Sequence, residues 1–230
     1  MATLQAARNS GDVMNFFRKK KLAPLDAYNL WADSYSGESN PIKNFSDELI
    51  GKWMTEVNGK SFLDAGCGTG KICNLASDRG ASCIFGVDLS PAMIKEATKN
   101  CLNADFKCLD LSKEKIDGLF DLIVSALVLG HIRNLDFVLT NLLGNLTPNG
   151  ILLITDFHPF LTLQGARRTF SEKKSGKTFE VEHHLHLFEE YVSCLTKSNA
   201  CVEEVAEPRW QEQPVVFGMK IRKRDLGPAA

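Results

Sequence analysis

Short apolar runs alternate with amphipathic stretches through the middle of the chain. The apolar runs predict buried strands at 60–66, 81–89, 104–111, 119–127 and 150–157. The amphipathic stretches between them predict helices at 70–79, 91–100 and 134–146. Strands that alternate with short helices are typical of right-handed βαβ units, so this pattern predicts a parallel sheet covered by helices on both faces.

The two ends of the chain follow a different pattern. Helical spacing at 12–20 and 42–57 flanks an aromatic segment that predicts a short helix. Beyond residue 157 the predicted elements are a helical stretch at 158–170, a strand at 178–188, a helix at 189–199, two paired strands at 200–207 and 214–224, and a loose tail at 225–230. We therefore expect an N-terminal helical arm or lid over 1–57 and a main domain over 58–230. Within that domain, a segment near 158–190 is expected to cover the site.

Composition narrows the class of protein. Of the 230 residues 44% are hydrophobic and 24% charged, as in soluble globular proteins, and the net charge of −1 favours neither nucleic acid nor an anionic membrane. The longest apolar run, 122–130, is too short to span a bilayer, and the first residues lack the pattern of a signal peptide. Seven cysteines without a CxxC pair indicate reduced thiols, so the sequence predicts a cytoplasmic protein.

A glycine-rich loop, FLDAGCGTGK at 62–71, follows the first predicted strand of the sheet. It is not a phosphate-binding P-loop, because Ala65 stands where the first glycine belongs and Ile72 follows the lysine. The dinucleotide motif G-x-G-x-x-G would need a glycine in place of Lys71. Asp64 at the mouth of the loop would repel a pyrophosphate and suits a ligand with a cationic amino group. Three glycines would admit an amino-acid tail and a sugar: Gly66, Gly68 and Gly70.

Aspartates close three successive predicted strands, at Asp64, Asp88 and Asp110. The carboxyl ends of parallel strands share one edge of the sheet, where such sheets bind ligands. A carboxylate at Asp88 can accept both hydroxyls of a ribose, and Asp110 beside Leu111 suits an adenine amino group and the face of its ring. One aspartate at a strand end is often only a turn or helix cap, but three at one edge indicate a binding site.

Four segments, in this order, resemble the class I S-adenosylmethionine-dependent methyltransferases: FLDAGCGTGK, IFGVDLSPAMIKEA, FDLIVSALVLGHI and LTPNGILLITDF. The likeness is closest to small-molecule methyltransferases of the ubiquinone-biosynthesis type and covers residues 25–160. It implies an α/β, Rossmann-like fold with a doubly wound seven-stranded sheet, mostly parallel with an antiparallel last strand. The implied cofactor is S-adenosyl-L-methionine, with S-adenosyl-L-homocysteine as product.

The resemblance also implies roles for single residues. The implied cofactor contacts are Asp64, Gly66, Gly68 and Gly70 for the methionyl part, Asp88 for the ribose, Asp110 and Leu111 for the adenine, and Ser125 and Ala126 for the sulfonium, with Leu89 as a further cofactor contact. Tyr28 and Tyr35 look like the aromatic N-terminal arm that closes over the cofactor in this family. Both tyrosines could instead be a core-packing pair on a helix.

Two histidines are candidates for a general base or for orienting the acceptor. His131 follows the fourth predicted strand of the sheet and His158 the fifth. Methyl transfer mainly requires that nucleophile, carbon and sulfur be aligned in a dry cavity, and a base matters only if the acceptor arrives protonated. His158 is favoured slightly because Pro159 restricts its backbone. Either histidine could instead serve in capping or packing.

A histidine-rich segment, EHHLH at 182–186, raises the question of a metal. In a strand His184 and His186 share one face with Glu182, and His183 takes the other, so at most two histidines could bind together. No nearby cysteine completes a set, and we predict no metal site; His184 and His186 instead become candidates for a substrate-pocket wall. Arg168 could meet an acidic substrate, although a solvated helix face is the default for an arginine pair.

The sequence thus predicts a methyltransferase that modifies an oxygen or nitrogen of a small-molecule acceptor. Two alternatives stay open: a methyltransferase for a carrier-bound acyl group or a protein, and a catalytically silent cofactor-binding regulatory subunit. The basic runs at 18–21 and 220–224 are isolated and offset by acidic stretches, so neither nucleic acid nor a membrane is expected as a partner.

Overall fold

A computed structural model describes residues 19–37 and 40–224 of the chain. Its strands are β1 (Lys21–Leu22), β2 (Ser61–Ala65), β3 (Cys83–Asp88), β4 (Asp105–Cys108), β5 (Phe120–Ala126), β6 (Leu146–Phe157), β7 (Thr169–Ser171), β8 (Thr178–Val181), β9 (Ala200–Ala206), β10 (Arg209–Trp210), β11 (Gln213–Pro214) and β12 (Val216–Lys223). Its helices are α1 (Pro24–Tyr35), α2 (Pro41–Trp53), α3 (Lys71–Asp78), α4 (Pro91–Asn100), α5 (Leu135–Gly144), α6 (Pro159–Leu163) and α7 (Phe188–Lys197). Most of the predicted helix at 12–20 and all of the predicted tail at 225–230 lie outside the described residues.

The main sheet has seven strands in the order β4-β3-β2-β5-β6-β12-β9. Strands β2 to β6 are parallel, and β12 runs antiparallel to both of its neighbours, β6 and β9. The predicted doubly wound, mostly parallel sheet with an antiparallel last strand is confirmed. Its chain order reverses between β2 and β5, which places a crevice at the carboxyl ends of these strands.

Alternation along the central strands divides the core into two layers. In β2, Leu63 and Ala65 face a cluster that includes residues of α5 and α7, whereas Phe62 faces a cluster with residues of α2, α3 and α4. Both faces of the parallel strands are therefore buried, which explains why β2, β3 and β5 read as nearly continuous apolar runs. Helix α2 packs on the sheet and is part of the main core. The described part of the predicted lid that does not pack in this core is residues 19–37, called the arm below.

A smaller apolar cluster joins the arm to residues 159–187, called the cap below. Strand β1 of the arm pairs in parallel with β8 of the cap, and β8 pairs with β7. Trp31 of α1 stacks on Phe170 of β7 with ring centroids 4.8 Å apart, and Leu22, Ala27 and Val181 complete the buried cluster. Two segments distant in sequence thus form one cover over the carboxyl edge of the main sheet.

Two predicted elements of the cap are shorter than expected. The strand at 178–188 stops at Val181, because the following backbone and side chains bond to the loop after β5: the His184 N–H donates to the Gly130 carbonyl at 2.7 Å. The helical stretch at 158–170 stops at Leu163, just before Gly165 with φ of 87°. Within the described ranges, no helix has the length and apolarity needed to cross a membrane.

Candidate functional site

A cavity of about 310 Å³ lies at the carboxyl edge of the main sheet, under α1, and is called the edge cavity here. Ten residues singled out from the sequence line it: Tyr28, Tyr35, Gly66, Gly68, Asp88, Leu89, Asp110, Leu111, Ala126 and His131. Its other walls were not predicted and come from the arm, from α4 and from the strand ends: Ala23, Pro24, Leu25, Met93, Leu109, Ser112, Lys113, Leu127, Val128 and Ile132.

The glycine loop is held against the end of β3. The N–H groups of Gly66 and Cys67 both donate to the Val87 carbonyl, at 2.8 and 2.9 Å. Gly66 has φ of 92°, and a Cβ placed on it would lie 2.2 Å from a methyl group of Val128. Only glycine satisfies both the backbone angle and the close approach, so the loop keeps bare backbone at the cavity wall.

Asp88 ties the loop to the start of α4. Its carboxylate accepts from the Gly68 N–H at 2.9 Å and from the Ser90 N–H at 2.8 Å. Burial raises the pKa of Asp88, while the two N–H donors favour the charged form. Ser90 also caps α4 through Met93 and donates to the Asn29 side chain at 2.6 Å, which connects the arm to this corner.

Asp110 lies at the outer end of the edge cavity and is partly exposed. It accepts from the Ser112 N–H at 3.0 Å and from Lys113 Nζ at 2.8 Å. Although its partial burial acts to raise the pKa of Asp110, the hydrogen bonds from Lys113 and Ser112 lower it overall. Asp110 is therefore ionised at neutral pH and can accept from a polar ligand group.

Three predicted contacts lie behind the wall. Asp64 is fully buried beneath the loop, where one carboxylate oxygen has only the Cys73 thiol at 3.6 Å and the other has no partner among the described residues. Burial raises the pKa of Asp64 to about 7. Ser125 is also fully buried, and its hydroxyl has no partner in the part of the chain that the structure describes. Gly70, at the start of α3, packs on Ala97 of α4. None of the three lines the edge cavity.

Tyr28 and His131 form a hydrogen-bonded pair at the inner end of the edge cavity. Tyr28 Oη lies 2.9 Å from His131 Nε2, and His131 Nδ1 lies 2.7 Å from the Glu182 carbonyl oxygen. Since a carbonyl only accepts, Nδ1 carries the proton, and a neutral His131 therefore accepts from the Tyr28 hydroxyl. Burial, followed by the nearby positive charge of Arg168, lowers the pKa of His131 well below its usual range. The ring is neutral at pH 7.

A second cavity of about 400 Å³ lies between the arm, the cap and α2, and is called the arm–cap cavity here. Tyr28, Tyr35 and Leu127 line both cavities, so the two spaces adjoin. The arm–cap cavity is rich in aromatic and basic side chains, which include Trp31, Phe157, Phe170, Trp210, Lys19, Lys43, Arg167 and Arg168. Of these residues only Arg168 was a predicted site residue.

Arg168 fixes the loop that separates the two cavities. Leu127 has φ of 61°, a backbone angle that non-glycine residues seldom adopt. Its N–H donates to the Thr155 carbonyl at 2.7 Å, and its carbonyl accepts from both terminal nitrogens of Arg168 at 3.2 Å. The buried Asp156 lies 3.5 Å from the same guanidinium and accepts from the Gly130 N–H at 2.7 Å.

The structure does not bring three of the predicted histidines to either cavity. His158 caps α6 by accepting from the Phe160 N–H at 3.2 Å, and its other ring nitrogen lies 3.2 Å from Glu207. His186 is buried, with its ring nitrogens 2.8 Å from the Ile132 carbonyl and 3.2 Å from Glu190. His184 lines neither cavity. This geometry gives no support to a catalytic role for His158 or to substrate contacts by His184 and His186.

Comparisons with known proteins agree with the fold. A family model described as a methyltransferase domain matches residues 56–213. The chain is 26% identical over 208 residues to the ubiquinone biosynthesis O-methyltransferase of Rhodopseudomonas palustris, covering 83% of this chain and 79% of that protein. It is 29% identical over 132 residues to the malonyl-[acyl-carrier protein] O-methyltransferase of Acetivibrio thermocellus, covering 55% of this chain and 46% of that protein. A solved S-adenosylmethionine-dependent methyltransferase from Mesorhizobium loti superposes with a TM-score of 0.67 at 19% identity, covering 79% of this chain and 99% of that one.

Proposed function

Because the chain belongs to the class I S-adenosylmethionine-dependent methyltransferases, we propose that it transfers a methyl group to an oxygen or nitrogen of a small-molecule acceptor. The observation that carries this proposal is the pair of adjoining cavities under one cover. One has the acidic and glycine-lined walls expected for the cofactor. The other, at about 400 Å³, is of a size that suits a small organic molecule.

The residues around the edge cavity fit S-adenosylmethionine. The carboxylate of Asp88 keeps lone pairs for ribose hydroxyls, and Asp110 is ionised at the far end, where an adenine amino group would lie. The buried Asp64, with its unpartnered oxygen, adds negative potential below the loop that favours a cationic amino group. The remaining contacts in this assignment are Gly66, Gly68, Leu89, Leu111 and Ala126, with Tyr28 and Tyr35 closing the site from the arm.

When bound, the cofactor supplies a methyl carbon already activated by a positive sulfur, so the chain's own residues have to position the acceptor and exclude water. Tyr28 of the arm covers both spaces, and Trp31 of the arm with Phe170 of the cap adds apolar cover over the arm–cap cavity. A neutral acceptor must also lose a proton when its oxygen or nitrogen gains the methyl group.

We propose that the Tyr28–His131 pair accepts the proton that the acceptor loses. The acceptor proton passes to Tyr28 Oη as the Tyr28 proton passes to His131 Nε2, which leaves tyrosine neutral and the imidazole charged. Burial raises the pKa of Tyr28, so the hydroxyl holds a proton at neutral pH and acts as a relay. The lowered pKa of His131 makes the charged imidazole release its proton readily between turnovers.

Labelled S-adenosylmethionine and a metabolite extract test the proposed function. Binding is measured first by calorimetry, and label is then followed into small-molecule and protein fractions. We expect binding, with label appearing in small molecules. Binding with no transfer to any fraction, or transfer to protein alone, would contradict the proposal.

A carrier-bound acyl group is the second candidate acceptor, because one relative is named a malonyl-[acyl-carrier protein] O-methyltransferase. The chain spans less than half of that relative, 46% of its length. The same label experiment with acylated carrier protein added separates the two, since label would then remain with the carrier.

A further inference from the structure

The arm–cap cavity carries positive charge against apolar walls. Four basic residues line it: Lys19, Lys43, Arg167 and Arg168. Among the described residues, no aspartate or glutamate lines it. On this basis we propose that the acceptor carries a carboxylate on a flat apolar body, and that Arg168 binds the carboxylate. This inference rests on the proposed function, because it names the class of acceptor for that same site.

Arg168 is the basic residue placed most firmly in the cavity wall. Its side chain is 14% exposed, and among the described residues its guanidinium makes two contacts to the Leu127 carbonyl and one to Asp156. A guanidinium has five N–H donors in a planar fork. The donors left over have no partner among the described residues, so this fork is both held in place and open to a carboxylate.

The carboxylate nearest to Arg168 neutralises it only in part. Asp156 lies 3.5 Å away, at the limit of a hydrogen bond. Its oxygens accept shorter hydrogen bonds from the N–H groups of Gly130 and Phe157, both at 2.7 Å. The shorter hydrogen bonds orient the Asp156 carboxylate toward the backbone, and the Arg168 guanidinium keeps N–H donors that can face the cavity.

The other basic residues strengthen the field at the mouth of the cavity. Arg167 is 68% exposed and lies 3.9 Å from Glu180, a separation at which an ion pair in water contributes little. Lys43 places its ammonium 3.8 Å from the centre of the Tyr35 ring and donates to the Tyr35 carbonyl at 2.6 Å. These charges draw an anion toward Arg168 and disfavour a cationic acceptor.

Aromatic walls define the rest of the acceptor. Trp31, Phe157, Phe170 and Trp210 offer ring faces and edges, which suit a flat apolar body. Tyr28 lies where the two cavities adjoin, so an acceptor held by its carboxylate at Arg168 extends along Leu127 toward the edge cavity. The reacting oxygen or nitrogen therefore lies on the body, and the carboxylate is the handle.

The test uses a near-isosteric pair of probes, 4-nitrobenzoate and 4-nitrobenzamide, and protein saturated with S-adenosylhomocysteine. Equilibrium dialysis with absorbance detection gives both affinities. We expect the acid to bind at least about tenfold more tightly than the amide, because a charge-assisted pair is lost with the amide. Arg168→Gln should abolish this preference and leave amide binding unchanged, and Arg168→Lys should retain part of it. Arg133→Gln, an exposed arginine outside both cavities, is the matched control.

Equal affinities for acid and amide in the parent protein would overturn the inference without any variant, so it does not depend on Arg168→Gln folding. An acid preference that survives in folded Arg168→Gln would overturn the role of Arg168. S-adenosylhomocysteine affinity is measured first: its absence defeats the proposed function, whereas normal affinity without acid preference defeats only the acceptor class.

Discussion

The edge cavity and the arm–cap cavity share Tyr28, Tyr35 and Leu127 but are built in different ways. The edge cavity is formed by strand ends and backbone N–H groups, with Asp88 holding the glycine loop. The arm–cap cavity is formed by side chains from segments far apart in sequence, such as Trp31 and Arg168. The first construction tolerates few substitutions because it depends on close backbone approach. The second can change its lining without changing the sheet, so a common cofactor site can serve different acceptors.

Alanine substitutions at two glycines test this difference in tolerance to substitution, and they should have the largest effect, which is on folding stability. Gly66 and Gly165 have similar angles, φ of 92° and 87°, but only Gly66 has a neighbour where a Cβ would stand. Alanine at either position costs about 1–2 kcal/mol of backbone strain, and Gly66→Ala should add about 1–3 kcal/mol from overpacking on Val128. Urea denaturation measures both losses. Similar losses for the two variants would mean that the loop is not tightly packed.

Removal of the Asp88 carboxylate should weaken ligand binding in the edge cavity and leave the rest of the fold unchanged. Asp88→Ala loses the carboxylate that fixes Gly68 and would meet the ribose, and charge-assisted hydrogen bonds are worth about 1.5–3 kcal/mol. We expect S-adenosylhomocysteine affinity to fall on the order of 100-fold, measured by calorimetry. Asp121→Ala is the control, because Asp121 holds the Ser61 N–H at 3.0 Å outside both cavities. Equal losses in both variants would refute the assignment.

A smaller effect is expected where the two cavities meet. Tyr28→Phe keeps the ring and removes the hydroxyl that reaches His131, so kcat should fall about tenfold, with little change in cofactor affinity. Tyr35→Phe is the matched control, since the Tyr35 hydroxyl has no hydrogen-bond partner among the described residues. Because the pKa of His131 is lowered, parent turnover should stay level as pH falls through about 6.5, the usual histidine value. Equal kcat losses in the two variants would count against the relay.

The smallest effect concerns the charge beneath the glycine loop. The pKa of Asp64 is about 7, so its negative charge is present above that pH and lost as pH falls through it. Affinity for S-adenosylhomocysteine should therefore drop a few-fold between pH 8 and 5.5 in the parent, and less in Asp64→Asn. Comparison of the two proteins cancels titration of the ligand itself. Parallel pH profiles would show that Asp64 does not act on the bound amino group.

The sequence predicts the residues of the edge cavity better than those of the arm–cap cavity. The order of strands, the glycine loop and the aspartates at strand ends are local patterns, and the parallel sheet brings Asp88 and Asp110 to one cavity because of its topology. Asp64 and Ser125 lie near strand ends, as the resemblance requires, but their side chains are buried in the core and do not line the edge cavity. Successive side chains of a strand face opposite sides of the sheet, so sequence position alone does not say which residue faces the cavity.

The sequence predicts a covering segment near 158–190, but the contacts of its side chains could not be predicted because they are not local. His158 precedes a proline at the carboxyl edge, yet capping of α6 and the nearby Glu207 take up its ring nitrogens. For Arg168 the sequence leaves open a contact with an acidic substrate and a solvated helix face; in the structure this residue lies in irregular chain against Leu127 and lines the arm–cap cavity. Neither outcome is encoded in spacing, because the partners Glu207 of His158 and Leu127 of Arg168 are distant in sequence.

The parallel pairing of β1 with β8 also has a consequence for biosynthesis. Leu22 is made before every strand of the main sheet, but its partner Val181 is made after β6 is complete. During translation the apolar side of the arm, with Leu22 and Trp31, therefore waits without its partner while the sheet strands emerge. The cover cannot close until Val181 has been made, and a nascent chain that stalls before this residue would present this side of the arm to chaperones.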